Sequence, residues 1–308
     1  MIITVTPNAA LDLTYEVDEL KPHHSHRVRA VYQRAGGKGV NVASVLAVMG
    51  YDVLAIGFAG GVTGAQIEAD LDMRGVPHRL VDCDGESRRT INVVSGVHAE
   101  ATIFNEPGPE VSSACWQELL ETLCGLVDAT ADTVVVLSGS LPRSLTEDAY
   151  PEMITSCRAL GARVIVDTSG APLLTAISAG PDLAKPNLAE VAEVVGIRDP
   201  ILGAAELRRL GARDLVISAG RDGLLLLPAQ GPGLRGRLAE QLRGNPTGAG
   251  DAAVAALAAG LETGASSKDM VQLAVAWSAA AVLQPVAGHV DPADIDRLHG
   301  QVVIEAYP

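Results

Sequence analysis

The sequence predicts an α/β protein in which a mainly parallel sheet is covered by helices on both faces, with a small second sheet at its side. From residue 111 onward, short runs of Val, Ile and Leu alternate with helical stretches closed by glycine, the pattern of successive βαβ units. Residues 13–33 and 88–106 hold more polar strands of alternating character, as a side sheet requires. At 308 residues, 48% hydrophobic but only 3% aromatic, the chain has the length for a large core and must build it mainly from Ala, Val and Leu. No internal repeat or interdomain linker is visible. Residues 1–308 therefore read as one domain, with the side sheet made of two insertions.

Each element follows from local chemistry. Residues 1–6 form a β-branched strand broken by Pro7 and Asn8, and 15–17 and 28–32 alternate as side-sheet strands. The apolar helix 42–49 stops at Gly50, residues 53–57 read as a strand, and helix 63–73 closes at Gly75. Residues 80–83 are a strand, and 91–97 and 101–105 pair through a turn of Ser95, Gly96 and His98-Ala-Glu100. Then come helix 112–127, strand 133–137, helix 147–160, strand 163–167, the short strand 182–184 and helix 188–195. Helix 202–210, strand 214–218, a turn over 220–223 and strand 224–227 follow. Residues 229–244 read as loose and glycine-bearing. An alanine-rich helix over 252–261, a helix over 268–283 and a closing helix near 292–298 complete the chain.

Composition excludes several functions. A formal charge of −14 argues against nucleic acid or an anionic membrane as partner, so an anionic substrate must be met by a few local cations. Cys83, Cys115, Cys124 and Cys157 are widely spaced without CxxC, and His23, His24 and His26 lack acidic or cysteine partners at ligand spacing; neither set suggests a metal. The first 20 residues carry four carboxylates and no basic start, and no apolar run can span a bilayer, so the expectation is a soluble cytoplasmic protein.

The run Asn245-Pro-Thr-Gly-Ala-Gly-Asp251 opens the alanine-rich helix and places small residues and a carboxylate at its start. The unpaired N–H groups of such a start, with the helix dipole behind them, bind anionic oxygens, and Gly248, Ala249 and Gly250 let a phosphate approach. Asp251 at the same turn can take a proton from a substrate hydroxyl, the combination a kinase needs. Taken alone, so short a pattern equally describes an aspartate capping a helix behind a glycine turn. A second loop, Gly36-Gly-Lys-Gly-Val-Asn41, brings glycines, Lys38 and an amide side chain to another helix start, without the spacing of a Walker loop.

Other strand-end residues are chemically pointed. Asp12 suits sugar hydroxyls or a turn of its own backbone. Arg88 or Arg89 suits a substrate phosphate. Asn187 and Glu190, one helical turn apart, suit a magnesium shell or a capping box. The turn from Ser218 through Gly220 to Gly223 suits nucleotide phosphates or a plain hairpin.

Together, Thr6-Pro-Asn with Asp12, Gly36-Gly-Lys-Gly with Asn41, Ser138-Gly-Ser-Leu-Pro, Lys185-Pro-Asn with Glu190, and Gly248-Ala-Gly-Asp251 resemble, in order and over almost the full chain, the ribokinase-like (PfkB) carbohydrate kinases. Within that family they look most like the fructose-phosphate and tagatose-phosphate kinases. The resemblance implies a three-layer α/β/α sandwich with a β-sheet lid that pairs two subunits as a homodimer. It implies Asp251 as base with Gly248, Ala249 and Gly250 as anion hole, and Asp12, Gly37, Asn41, Arg88 and Ser140 on the sugar phosphate, with Lys38 and Arg27 as further candidates. Lys185, Asn187, Ser218, Gly220 and Gly223 fall on the ATP side, with Glu190 acting on Mg2+ indirectly. Two other readings stand beside a ketohexose-monophosphate kinase: a related kinase of an unphosphorylated sugar or nucleoside, and a non-catalytic sugar-phosphate sensor.

Overall fold

The computed structural model describes residues 1–96, 100–127, 132–239 and 242–307. In chain order the elements are β1 (Ile2–Thr6), β2 (Ala10–Val17), β3 (Ala30–Gly36), α1 (Lys38–Val48), β4 (Val53–Ala59), α2 (Gly61–Met73), β5 (His78–Asp82), β6 (Arg88–Ser95), β7 (Glu100–Asn105) and α3 (Ser113–Leu126). Then follow β8 (Val134–Ser138), α4 (Ala149–Ala159), β9 (Arg163–Asp167), α5 (Ala171–Ser178), β10 (Leu183–Ala184), α6 (Leu188–Val195), α7 (Pro200–Arg209), β11 (Asp214–Ser218), β12 (Leu224–Leu227), β13 (Gly233–Leu238), α8 (Ala249–Thr263), α9 (Ser267–Val282), α10 (Pro292–His299) and β14 (Val302–Tyr307).

The large sheet runs β14-β13-β12-β11-β10-β9-β8-β1-β4-β5. It is parallel from β11 to β5 and antiparallel at the β12–β14 edge. Side-chain alternation sorts its residues onto two cores, as a sheet buried on both faces demands. Ile2, Val134, Val136, Ile165, Leu183 and Val216 face α1, α2, α8, α9 and α10. Their neighbours Ile3, Val135, Leu137, Val164 and Val166 face α3 and α4, while Leu215 and Ile217 face α5, α6 and α7. This is the predicted three-layer arrangement. The second sheet, β3-β2-β6-β7, pairs β2 with β6 in parallel and is otherwise antiparallel. It begins nearer the core than the sequence suggests, because β2 starts at Ala10 and β3 runs into Gly36. The expected turn at 97–99 lies outside the described residues.

Three elements escaped the sequence reading. Helix α5 is short and follows Gly170 with proline in its first turn. Strand β13 lies within the stretch expected to be loose, and β14 follows the last expected helix. One glycine of β13 marks contact with a helix: a Cβ on Gly236 would sit 2.3 Å from Val271 Cγ1 and 3.1 Å from Val275 Cγ2, both on α9. Arg235 and Arg237 meanwhile reach outward to the Asp222 carbonyl and to Glu305. Among the described residues no helix is long and apolar enough to cross a membrane.

Because Gly236 lets β13 press against α9, Gly236→Ala should overpack that contact and destabilise the fold by about 1–3 kcal/mol. A lowered urea midpoint at an unchanged slope is the expected readout.

Candidate active site

The site forms where α1 and α8 begin side by side. Gly37 (φ 97°) and Gly248 (φ 85°) precede the two helices with positive φ, which glycine adopts without strain. A Cβ on Gly248 would also meet Ala287 Cβ at 2.8 Å, and one on Gly36 would lie 2.0 Å from Asp12 Oδ2. Between the helix starts, Asn41 Nδ2 donates to Asp251 Oδ2 at 2.7 Å in a buried setting. Burial, with the charge of Asp167 added, raises the Asp251 carboxyl to about 7 against the pull of Lys38, Asn41 and Lys185. Of the small-residue amides at this start, that of Ala249 donates back to the Pro246 carbonyl at 3.2 Å.

Behind Asp251 lies a charge cluster that the sequence reading missed. Asp167, at the end of β9 and 1% exposed, has its Oδ1 3.1 Å from Lys38 Nζ and 3.5 Å from Lys185 Nζ. Burial works against its charge, but the two ammoniums hold its carboxyl below the usual range. Burial likewise opposes the charge of Lys38, yet Asp167, Asp251 and Glu190 keep that ammonium above its ordinary value. Lys185 Nζ stands 3.7 Å from where a Cβ on Gly250 would project, so the cation faces the start of α8. The missed signal was a carboxylate at the C-terminal end of an expected parallel strand, where α/β sheets gather ligands.

Asn187 and Glu190 form a reciprocal capping box on α6: Asn187 Oδ1 accepts from the Glu190 amide at 2.9 Å, and Glu190 Oε2 from the Asn187 amide at 2.8 Å. The capping leaves Glu190 Oε1 turned to Lys38 at 3.8 Å. Asp167 Oδ2 is buried without a hydrogen-bond partner. Magnesium takes one or two carboxylates and completes its shell with phosphate and water oxygens, a demand that Asp167 and Glu190 fit. No group of three metal-ligating side chains occurs among the described residues, so the protein alone offers no full cage.

At the other end of the cleft, burial raises the Asp12 carboxyl to about 6, offset in part by Arg88 and Thr90. Period-two alternation separates the two arginines of β6. Arg88 lines the cleft and donates to the Asn8 carbonyl, Thr90 Oγ1 and Asn105 Oδ1, whereas Arg89 pairs with Glu106 at 2.9 Å and is absent from the cleft wall. Ser140 joins the wall beside Asn8. Arg27 is exposed in the connection between β2 and β3 and does not line the cleft.

Lys185, Asn187, Ser218, Gly220 and Gly223 line the remaining wall, and a bridge between Asn187 and Ser218 sets those two strand ends side by side. Leu238, Val275, Ala279 and Val282 add apolar surface there, which no sequence motif marks. The cleft, about 1780 Å³, exceeds the ~300–1,000 Å³ of a one-ligand pocket and has room for two. The second sheet closes it on one side.

Fold and site define a ribokinase-like protein, and solved structures share the architecture. Phosphofructokinase-2 from Escherichia coli in complex with potassium superposes with a TM-score of 0.90 at 28% identity, covering 97% of this chain and 98% of that one. The model of the pfkB family carbohydrate kinases matches residues 4–294, and the chain belongs to that family. Among its relatives, the 1-phosphofructokinase of Xanthomonas campestris pv. campestris is 36% identical over 99% of this chain and 98% of its own length. The ATP-dependent 6-phosphofructokinase isozyme 2 of Mycobacterium tuberculosis is 35% identical over 96% of this chain and 88% of its own.

A buried carboxyl raised to about 7 favours folding below the ordinary carboxylate value near 3.8, and that contribution is lost as pH climbs through about 7. Asp251→Asn, which still offers Asn41 an acceptor, should therefore be more stable than the parent at pH 8, on the order of a few kcal/mol. The difference should shrink toward pH 4, and denaturant unfolding of both proteins across that range measures it.

Proposed function

We propose that this protein transfers the γ-phosphoryl group of ATP to a hydroxyl of a ketohexose monophosphate. The observation that carries the reading is Asp251, a buried carboxylate fixed by Asn41 at a helix start, in a cleft whose far wall presents Arg88 and Asp12. The relatives named as 1-phosphofructokinase and 6-phosphofructokinase support the substrate class.

In this mechanism Asp251 accepts the proton of the attacking hydroxyl, and a carboxyl at about 7 is matched to that task near neutral pH. The start of α8, through Gly248, Ala249 and Gly250, together with Lys185 and Lys38, holds the negative charge of the transferred group. Asp167 and Glu190 would hold magnesium, which would neutralise phosphate charge when bound. Asp12, Gly37, Asn41 and Ser140 orient the acceptor, and Arg88 binds its phosphate. Since Lys38 sits between carboxylates on the base side, preference for a phosphorylated over a neutral sugar rests on Arg88. Lys185, Asn187, Ser218, Gly220 and Gly223 serve the nucleotide.

The second sheet acts as a lid within one kinase domain and joins two copies. Val31 and Phe104 on it are 58% and 56% exposed, more apolar surface than a lone lid needs. The four free thiols accord with a cytoplasmic setting.

Asp251→Asn should lower turnover by about 100- to 10,000-fold. For the parent, kcat/KM should rise with the loss of one proton as pH passes about 7. Steady-state rates with fructose 1-phosphate, fructose 6-phosphate and tagatose 6-phosphate, against fructose as the neutral control, test the substrate class; a preference for fructose would reject it. In sedimentation, Phe104→Asp should convert dimer to monomer, and a monomeric parent would refute pairing through the lid.

A further inference from the structure

Building on the sugar-phosphate kinase reading above, we propose that Asn8 is a positioning residue that ties the acceptor wall of the cleft to the lid and sets acceptor affinity. Asn8 follows β1, is 5% exposed and lies where three distant parts of the chain meet. Its Nδ2 donates to Ser140 Oγ at 3.2 Å and to the Pro107 carbonyl at 3.2 Å, and its own carbonyl accepts from Arg88 Nε at 3.0 Å. Ser140 belongs to the loop after β8, Arg88 opens β6, and Pro107 stands on the segment leaving the lid's edge strand β7.

An asparagine in a simple turn bonds its own backbone about two residues on. Asn8 instead reaches residues 99 and 132 positions away. The backbone closes on it from the lid side: Gly108 has φ 92°, and a Cβ there would lie 2.1 Å from Asn8 Oδ1, so the amide packs directly against this glycine. A lid movement that carries Pro107 and Arg88 therefore reaches Ser140 through this one residue. Both groups assigned to the acceptor keep their spacing while the lid shifts, and the base at Asp251 is left alone.

The test uses the full-length protein with ATP and whichever ketohexose monophosphate the parent turns over fastest. Loss of the two donated hydrogen bonds in Asn8→Ala should raise the acceptor KM about 10- to 100-fold. The KM for ATP and kcat should each stay within about threefold, because neither depends on uniform acceptor binding. Asn8→Asp, which keeps the shape but lacks the NH2 donors, should follow Asn8→Ala. In the double variant Asn8→Ala/Ser140→Ala, the rise in acceptor KM should be smaller than the product of the single effects, since the Asn8 amide donates directly to Ser140 Oγ.

The proposal is overturned by a folded Asn8→Ala with parental acceptor KM, by kcat and both KM values changing together, or by multiplicative effects in the double variant. Loss of the circular dichroism of the fold in both Asn8 variants would also overturn it, making the residue structural. Failure of the kinase reading is separate: it shows in the parent as absent activity on every ketohexose monophosphate.

Discussion

The cleft is organised around one buried carboxylate whose affinity for a proton is raised by its surroundings. Asp251 is held by a single hydrogen bond from Asn41, which joins the first turns of two helices. Burial alone would leave such a group protonated, and nearby positive charge alone would leave it too weak a base. Lys38 and Lys185 bring the positive charge, and Asp167, bound to both, limits how much of it Asp251 feels. The carboxyl consequently sits near neutrality, the range that the base role proposed for it requires.

The rest of the fold brings these groups together. Asp167 ends β9, Lys185 follows β10, and Asn8 and Asp12 follow the end of β1, so the parallel sheet delivers its chemistry at one edge. Helix α8 is alanine on nearly every side and fully buried from Ala252 to Gly260. Its thinness lets α1 and α9 pack closely enough for the starts of α1 and α8 to share a hydrogen bond. The aromatic-poor composition of the core thus bears directly on the site, since bulkier side chains on α8 would push the helices apart.

The second sheet is tied to this edge by its own strands. Strand β2 leaves the core shortly after β1, and β3 runs straight into the glycine turn before α1. Arg88 reaches back from β6 to the Asn8 carbonyl, so this wall of the cleft is anchored to the loop that leads from β1 to Asp12. A side chain on Gly36 would displace the Asp12 carboxyl from its present position.

Most of the fold was legible in the sequence because strands and helices announce themselves locally, by period and by the glycine that ends them. Strands β9, β11 and β12 and helix α6 fall on the boundaries that pattern predicts. The glycine turns before α1 and α8 were equally readable, since backbone conformation and phosphate access are local demands. Strand β13 was not: its glycines signal loop by composition, while Gly236 makes room for contact with α9 and Gly233 lies against the neighbouring strands. The place of Asp167 at a strand end was a local signal, but its meaning comes from lysines 129 and 18 positions away, and nothing local separates Arg88 from Arg89, which only the register of β6 against β2 distinguishes. The sequence by itself determined the layers, the turns and the residue types at the strand ends. Tertiary structure alone decided which charges face one another, because Coulomb and hydrogen-bond interactions depend on distances that only the closed fold sets.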